Sequence, residues 1–121
     1  NSSKPTMFDL QDRLKLVEIV SSRYPNVNFG SYEGLTIDFA NTHNTNVIVR
    51  GVRNSSDFNY ESQIAQMNNT MDKALESIFF IASDPFKSIT SSLVRQVINL
   101  NGDYSKFISK DVANHLEKKN G

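Results

Sequence analysis

The sequence predicts an α/β domain built on a parallel sheet. Three observations carry that expectation. Helical and strand patterns alternate along 121 residues, with no internal repeat or low-complexity tract. Val47-Ile48-Val49 and Ile78-Phe79-Phe80-Ile81-Ala82 read as continuous apolar strands, as expected where helices cover both faces of a parallel sheet. Between them a helical pattern starts at Asp57, and strands joined through a helix pair in parallel with right-handed crossovers.

Each element has its own signal. Asp9 is placed to cap a first helix, with Asp12 near its positive end. Leu10, Leu14 and Val17 recur at helical spacing, joined by Ile19 and Val20. Tyr24-Pro25 ends that helix, because proline restricts the residue before it. Val27 and Phe29 alternate over a short strand, and Leu35 and Phe39 mark a second helix stopping near Asn44. After the strand at Val47, the third helix carries Tyr60, Ile64, Met67 and Met71 on one face, with both methionines read as core. Ser83-Asp84-Pro85 breaks the chain after the next strand. A fourth helix begins near Thr90, carries Leu93, Val94, Val97 and Ile98, and stops at Asn101-Gly102. Ser109 caps a last helix whose Lys118 and Lys119 suit its negative end.

The predicted order is α-β-α-β-α-β-α-α within a single domain, residues 1–121. Three parallel strands would leave two exposed edges, which folded proteins avoid. The chain also opens on Asn1 rather than methionine. An upstream strand-and-helix unit is therefore expected to complete the sheet.

Composition narrows the function. Lys and Arg number 13 and Asp and Glu 13, so the net charge is zero and bulk attraction to nucleic acid or a membrane surface is not expected. No apolar run approaches the ~20 residues of a membrane helix. There is no cysteine, which excludes disulfides, thiolate metal sites and thiol nucleophiles, and 2 histidines cannot build a histidine-rich metal site. Neither His43 nor His115 has a partner at a catalytic spacing, and no Gly-rich Rossmann fingerprint or P-loop occurs. The N-x-S/T matches at Asn1, Asn54 and Asn68 are read as chance in an Asn-rich and Ser-rich chain.

Ligands of open parallel sheets bind beyond the carboxyl ends of the strands. There Val47–Val49 runs into Arg50-Gly51-Val52-Arg53. Gly51 permits close approach of a ligand to backbone, and two forked guanidinium groups bracket it, suited to phosphate. The competing reading is a plain surface loop; the place at a strand end favours a site. The next strand leads to Ile89-Thr90-Ser91-Ser92, where hydroxyls and helix-start amides make an anion site, against the reading of an ordinary cap. Glu61 lies one turn beyond Asp57, and on its own reads as a solvated helix residue or an acceptor for ribose or arginine. Lys4 adds a third cation if its loop folds over the site. Together these residues point to a phosphate-rich ligand such as a nucleotide, with the reaction left open.

Arg50-Gly51-Val52-Arg53, followed by the run from Asp57-Phe58-Asn59-Tyr60-Glu61 to Asn68, closely resembles the bacterial phosphopantetheine adenylyltransferases. So do Ile89-Thr90-Ser91-Ser92-Leu93-Val94-Arg95, Lys4-Pro5, Met7-Phe8, Arg13, Gly34-Leu35, Asp38-Phe39-Ala40, Gly102-Asp103 and Phe107. The resemblance covers essentially the whole chain, as the last three quarters of the family domain. It implies a Rossmann-like nucleotidyltransferase fold and transfer of adenylyl from ATP to 4′-phosphopantetheine, giving dephospho-coenzyme A and pyrophosphate. It implies that Lys4 and Arg50 hold the phosphate of phosphopantetheine and Thr36 its arm. Gly51, Val52, Arg53 and Glu61 would bind ATP, as would Phe86, Lys87, Ser88, Ile89, Thr90, Ser91 and Ser92. It further implies Mg²⁺ with ATP, coenzyme A as a ligand, a cytoplasmic homo-hexamer, and direct in-line attack with Lys4 and Arg53 supporting the transition state.

The sequence departs from the family pattern in places. The T-x-G-H motif, with its catalytic threonine and histidine, is not in this chain, and a strand-helix unit of about 30 to 40 residues would carry it. Asn69 stands where a basic residue is common, Gln96 replaces a glutamate, Thr90 a serine, and Lys87-Ser88 a serine and an aromatic residue. These departures motivate an alternative, a non-catalytic nucleotide or coenzyme A binding module or an inactive fragment. A purely structural oligomerisation domain is a third reading.

Overall fold

The structure, a computed structural model, describes residues 6–120. The elements are α1 (Leu10–Ser21), α2 (Thr36–Thr42), β1 (Val47–Val52), α3 (Ser55–Met71), β2 (Glu76–Ile81), a short 3₁₀ turn (Phe86–Ser88), α4 (Ser91–Asn99) and α5 (Lys110–Asn120). They form two compact units: Tyr32–Ile89, and the residues before and after it.

In the Tyr32–Ile89 unit, β1 and β2 pair in parallel, with Arg50 beside Phe79 and Val52 beside Ile81. The α/β class and the parallel pairing are as the sequence predicts. Side chains alternate across a strand, so Ile48, Arg50, Val52, Phe79 and Ile81 share one face of the ladder. That face meets α3, where Phe58 packs edge-on against Phe79 at 5.6 Å. Val52 at the end of β1, Leu75 just before β2 and Ala40 on α2 are buried, and these three are the apolar core of the unit.

Four sequence expectations need correction here. Val27 and Phe29 form no strand and are exposed. Two apolar residues flanked by Asn26, Asn28 and Gly30 are a weak strand signal, since those neighbours disfavour the pleat. The sheet of the described residues accordingly has two strands rather than three. Next, β1 extends through Arg50 and Gly51 to Val52, because the ladder with Phe79, Phe80 and Ile81 continues past the apolar run. The strands are also not fully buried: on the face away from α3, Val49 is 58% and Phe80 64% exposed. Finally, α3 is rotated about its axis. Tyr60, Met67 and Met71 are exposed, while Asp57, Glu61, Ile64, Ala65 and Asn68 turn inward. Glu61 paired with Arg50 and Asp57 paired with Arg53 set that face, and an apolar count passes over them.

The helix ends follow local chemistry. Asp9 accepts from the Asp12 amide at the start of α1, Asn54 from Asp57 at α3, and Thr90 from Leu93 at α4. Asn44 after α2 and Asn101 after α4 take the left-handed conformation, with φ of 52° and 55°. In α4 the Gly102 amide then donates to the Val97 carbonyl and the Asn101 amide to Ile98, closing a Schellman motif. Asn54 is thus a cap and Asn68 is buried in α3, which fits reading both sequons as chance.

In the unit built from α1, α4 and α5, α1 packs on α5, whose Ala113 and Leu116 are buried. Arg23 forms an ion pair with Asp111 across that contact.

Candidate active site

The carboxyl ends of β1 and β2 stop level with each other, and the Ala82 amide donates to the Val52 carbonyl at 2.8 Å. Two residues after β1 the chain turns into α3, capped by Asn54. This junction forms a cleft of about 440 Å³, lined by Val52, Arg53, Asn54, Ser55, Phe58, Phe79, Ile81 and Lys87. Its floor is apolar and its rim cationic and hydroxylic, a combination that suits a ligand with a flat base and a charged tail.

Both arginines of the R-G-x-R run are held by α3. Arg50 donates from Nε to Glu61 Oε2 and from Nη2 to Oε1, each at 2.7 Å. Arg53 donates from Nε to Asp57 Oδ2 at 2.8 Å and from Nη2 to Oδ1 at 3.3 Å. The hydrogen bond to each carboxylate raises its arginine further above the ordinary value and holds Asp57 and Glu61 below theirs. Each carboxylate occupies the side edge of its guanidinium. The end edge, formed by Nη1 and the outer hydrogen of Nη2, has no partner among the described residues and stays available for a phosphate. The Glu61 side chain is only 12% exposed, so it is not the solvated helix residue that sequence alone suggests.

The remaining predicted residues fall as follows. Val52, Arg53 and Lys87 meet in the cleft. Lys87 has a loose ion pair with Asp84, 3.4 Å away. Gly51 is in β1, and a methyl group there would find nothing within 4 Å. Thr36 opens α2, its Oγ1 2.8 Å from the Tyr32 hydroxyl. Phe86, Lys87 and Ser88 form the 3₁₀ turn and Ile89 follows it. Thr90, Ser91 and Ser92 belong to the other unit, at the start of α4. Lys4 lies outside the described residues. Asn69 donates to the carbonyls of Lys73 and Leu75, closing the turn after α3.

Sequence reasoning missed Asn54, Ser55, Phe58, Phe79 and Ile81 as cleft residues, and Asp57 as the partner of Arg53. Two signals were present. Asn54 and Asp57 stand at capping spacing, and Arg53 and Asp57 are four residues apart across a helix start.

A parallel sheet whose strand ends carry paired arginines above an apolar cleft is the frame of a nucleotidyltransferase, and the cytidylyltransferase-like family model matches residues 1–97. Relatives extend the match. The phosphopantetheine adenylyltransferase of Lachnoclostridium phytofermentans is 38% identical over 100% of this chain and 75% of its own length. That of Clostridium perfringens is 35% identical over 98% of this chain and 73% of its own. That of Burkholderia vietnamiensis is 41% identical over 97% and 71%. The chain belongs to the phosphopantetheine adenylyltransferase family.

Proposed function

We propose that this protein transfers the adenylyl group of ATP to 4′-phosphopantetheine, giving dephospho-coenzyme A and pyrophosphate. The observation that carries the reading is identity spread along nearly the whole chain to enzymes of that name. The cleft supports it, because it offers cations and an apolar floor where a parallel sheet binds nucleotides.

A phosphate oxygen of phosphopantetheine attacks the α-phosphorus of ATP. The bond from that phosphorus to the bridging oxygen breaks, and pyrophosphate leaves with the electron pair. The nucleophile belongs to the substrate, so the protein's work is positioning and charge stabilisation. Arg50, with Lys4, holds the attacking phosphate through the edge that Glu61 leaves open, and Thr36 meets the pantetheine arm. Arg53 holds the triphosphate, where charge moves onto the leaving group, and the family resemblance assigns the hydroxyls and amides of Thr90, Ser91 and Ser92 to ATP as well. The backbone at Gly51 and Val52 and the segment from Phe86 to Ile89 receive the nucleoside. Glu61 and Asp57 are each engaged by an arginine, and no cluster of three or more metal-ligating side chains occurs among the described residues. Magnesium would enter with ATP and would supply charge neutralisation at the transferring phosphates, beside the cations of Arg50 and Arg53.

The same proposal extends to one nucleotidyltransferase domain over residues 1–121, assembled as a cytoplasmic homo-hexamer. Apolar side chains exposed on the sheet, such as Val49 and Phe80, are consistent with burial in an assembly. Among the described residues no helix is long and apolar enough to cross a membrane. The test is pyrophosphate release by the purified protein from MgATP with and without 4′-phosphopantetheine. Release that depends on phosphopantetheine is expected. Equal release in both, or none, overturns the reading.

A further inference from the structure

Asp57 touches Arg53 three times. Besides the two guanidinium bonds, its Oδ2 accepts the backbone amide of Arg53 at 3.2 Å. Asp57 is itself fixed, since its own amide is capped by the Asn54 side chain at 2.9 Å. One carboxylate therefore sets both the backbone and the side chain of Arg53 at the cleft rim. Their side chains are 36% and 27% exposed, so water competes for both groups. An exposed pair of this kind contributes little to folding. Its geometric effect is larger: the three bonds direct the open edge of Arg53 and limit its rotamers before any ligand arrives.

We propose that Asp57 is a positioning residue for ATP, acting through Arg53 and touching no substrate itself. The inference rests on the adenylyltransferase reading, and two readouts separate their failures. ATP affinity is measured by titration calorimetry, independently of turnover, and KM is measured for each substrate. In Asp57→Asn the amide keeps an acceptor for the Arg53 backbone but turns a donor toward the guanidinium. The expected result is about a tenfold or greater loss in ATP affinity and a matching rise in the KM for ATP. The KM for phosphopantetheine stays within about twofold and the melting temperature within a few degrees. Asp57→Glu, which keeps the charge, recovers part of the loss.

The deciding comparison is a double-mutant cycle. If Asp57 acts through Arg53, adding Asp57→Asn to Arg53→Ala costs nothing further in ATP affinity. An additional tenfold loss in the double variant overturns the proposal, because Asp57 would then act on ATP or its metal directly. Unchanged ATP affinity in Asp57→Asn overturns it as well. Normal ATP affinity in the wild type without turnover overturns the reaction while the cycle still decides the role of Asp57. No ATP affinity in the wild type overturns both.

Discussion

Arg50 and Glu61 are eleven residues apart and joined by two parallel 2.7 Å hydrogen bonds, one partner on β1 and the other a turn and a half into α3. The pair fastens the crossover helix to its strand and leaves one edge of the guanidinium open. Replacing Glu61 with Gln removes the charge and turns one of the two acceptors into a donor. Turnover per KM is expected to fall about tenfold or more, equivalent to ~1.4 kcal/mol of transition-state stabilisation. Steady-state pyrophosphate release measures it, and a loss under about twofold would mean that Arg50 needs no orientation.

Acid should loosen the same junction. Asp57 and Glu61 are held below the ordinary carboxyl values of 3.8 and 4.5, chiefly by hydrogen bonds from Arg53 and Arg50. A lowered folded-state pKa contributes stability that is complete above the ordinary value and disappears as pH falls through the lowered one. Urea unfolding is expected to show no contribution from these two groups to pH dependence above about pH 6, and a loss of stability toward pH 3. The Asp57→Asn, Glu61→Gln double variant should lose less over that interval than the wild type. An identical slope would show that the two carboxylates do not titrate differently in the folded and unfolded chains.

Gly51 separates a folding role from a ligand role. Its φ is not left-handed, and an added methyl group meets nothing within 4 Å. Gly51→Ala should therefore melt within a few degrees of the wild type; on the proposal that the nucleotide meets the backbone at Gly51, on the sheet face away from α3 that the methyl group would enter, turnover falls about tenfold or more. Thermal unfolding and steady-state rates on one preparation check both halves. Full turnover would remove Gly51 from the nucleotide site.

Asn101 tests the helix ends. At a φ of 55° it occupies the left-handed position of the motif that closes α4. Asn101→Ala should destabilise the protein by about 1 kcal/mol, and Asn101→Gly should match or exceed the wild type. Chemical denaturation of the two variants gives the order directly.

The legible parts of this fold were those written in local chemistry. Asp9, Thr90 and the Asn101-Gly102 pair announced helix boundaries that the structure keeps. The apolar runs at Val47 and Ile78 announced two parallel strands. What the residues hid depends on tertiary partners. Arg50 and Gly51 are poor strand signals, and they extend β1 only because Phe79 and Phe80 lie alongside. The rotation of α3 follows from Glu61 and Asp57 reaching arginines outside the helix, so Tyr60 and Met67 face outward although their spacing is helical. Arg53 was legible as a cleft residue from its place after a strand, and Lys87 only through the family resemblance. Phe58 and Phe79 read as anonymous apolar positions until the fold set them edge to face at 5.6 Å.

The proposed function divides the labour between two arginines of one strand end: Arg50 for the attacking phosphate, Arg53 for ATP. The most direct measurement is steady-state pyrophosphate release by the wild type, Arg50→Ala and Arg53→Ala, varying each substrate in turn. Arg53→Ala is predicted to raise the KM for ATP about tenfold or more and leave that for phosphopantetheine within about twofold, and Arg50→Ala to do the reverse. Equal effects on both substrates, or a KM for ATP in Arg53→Ala or for phosphopantetheine in Arg50→Ala within about twofold of the wild type, would contradict this division.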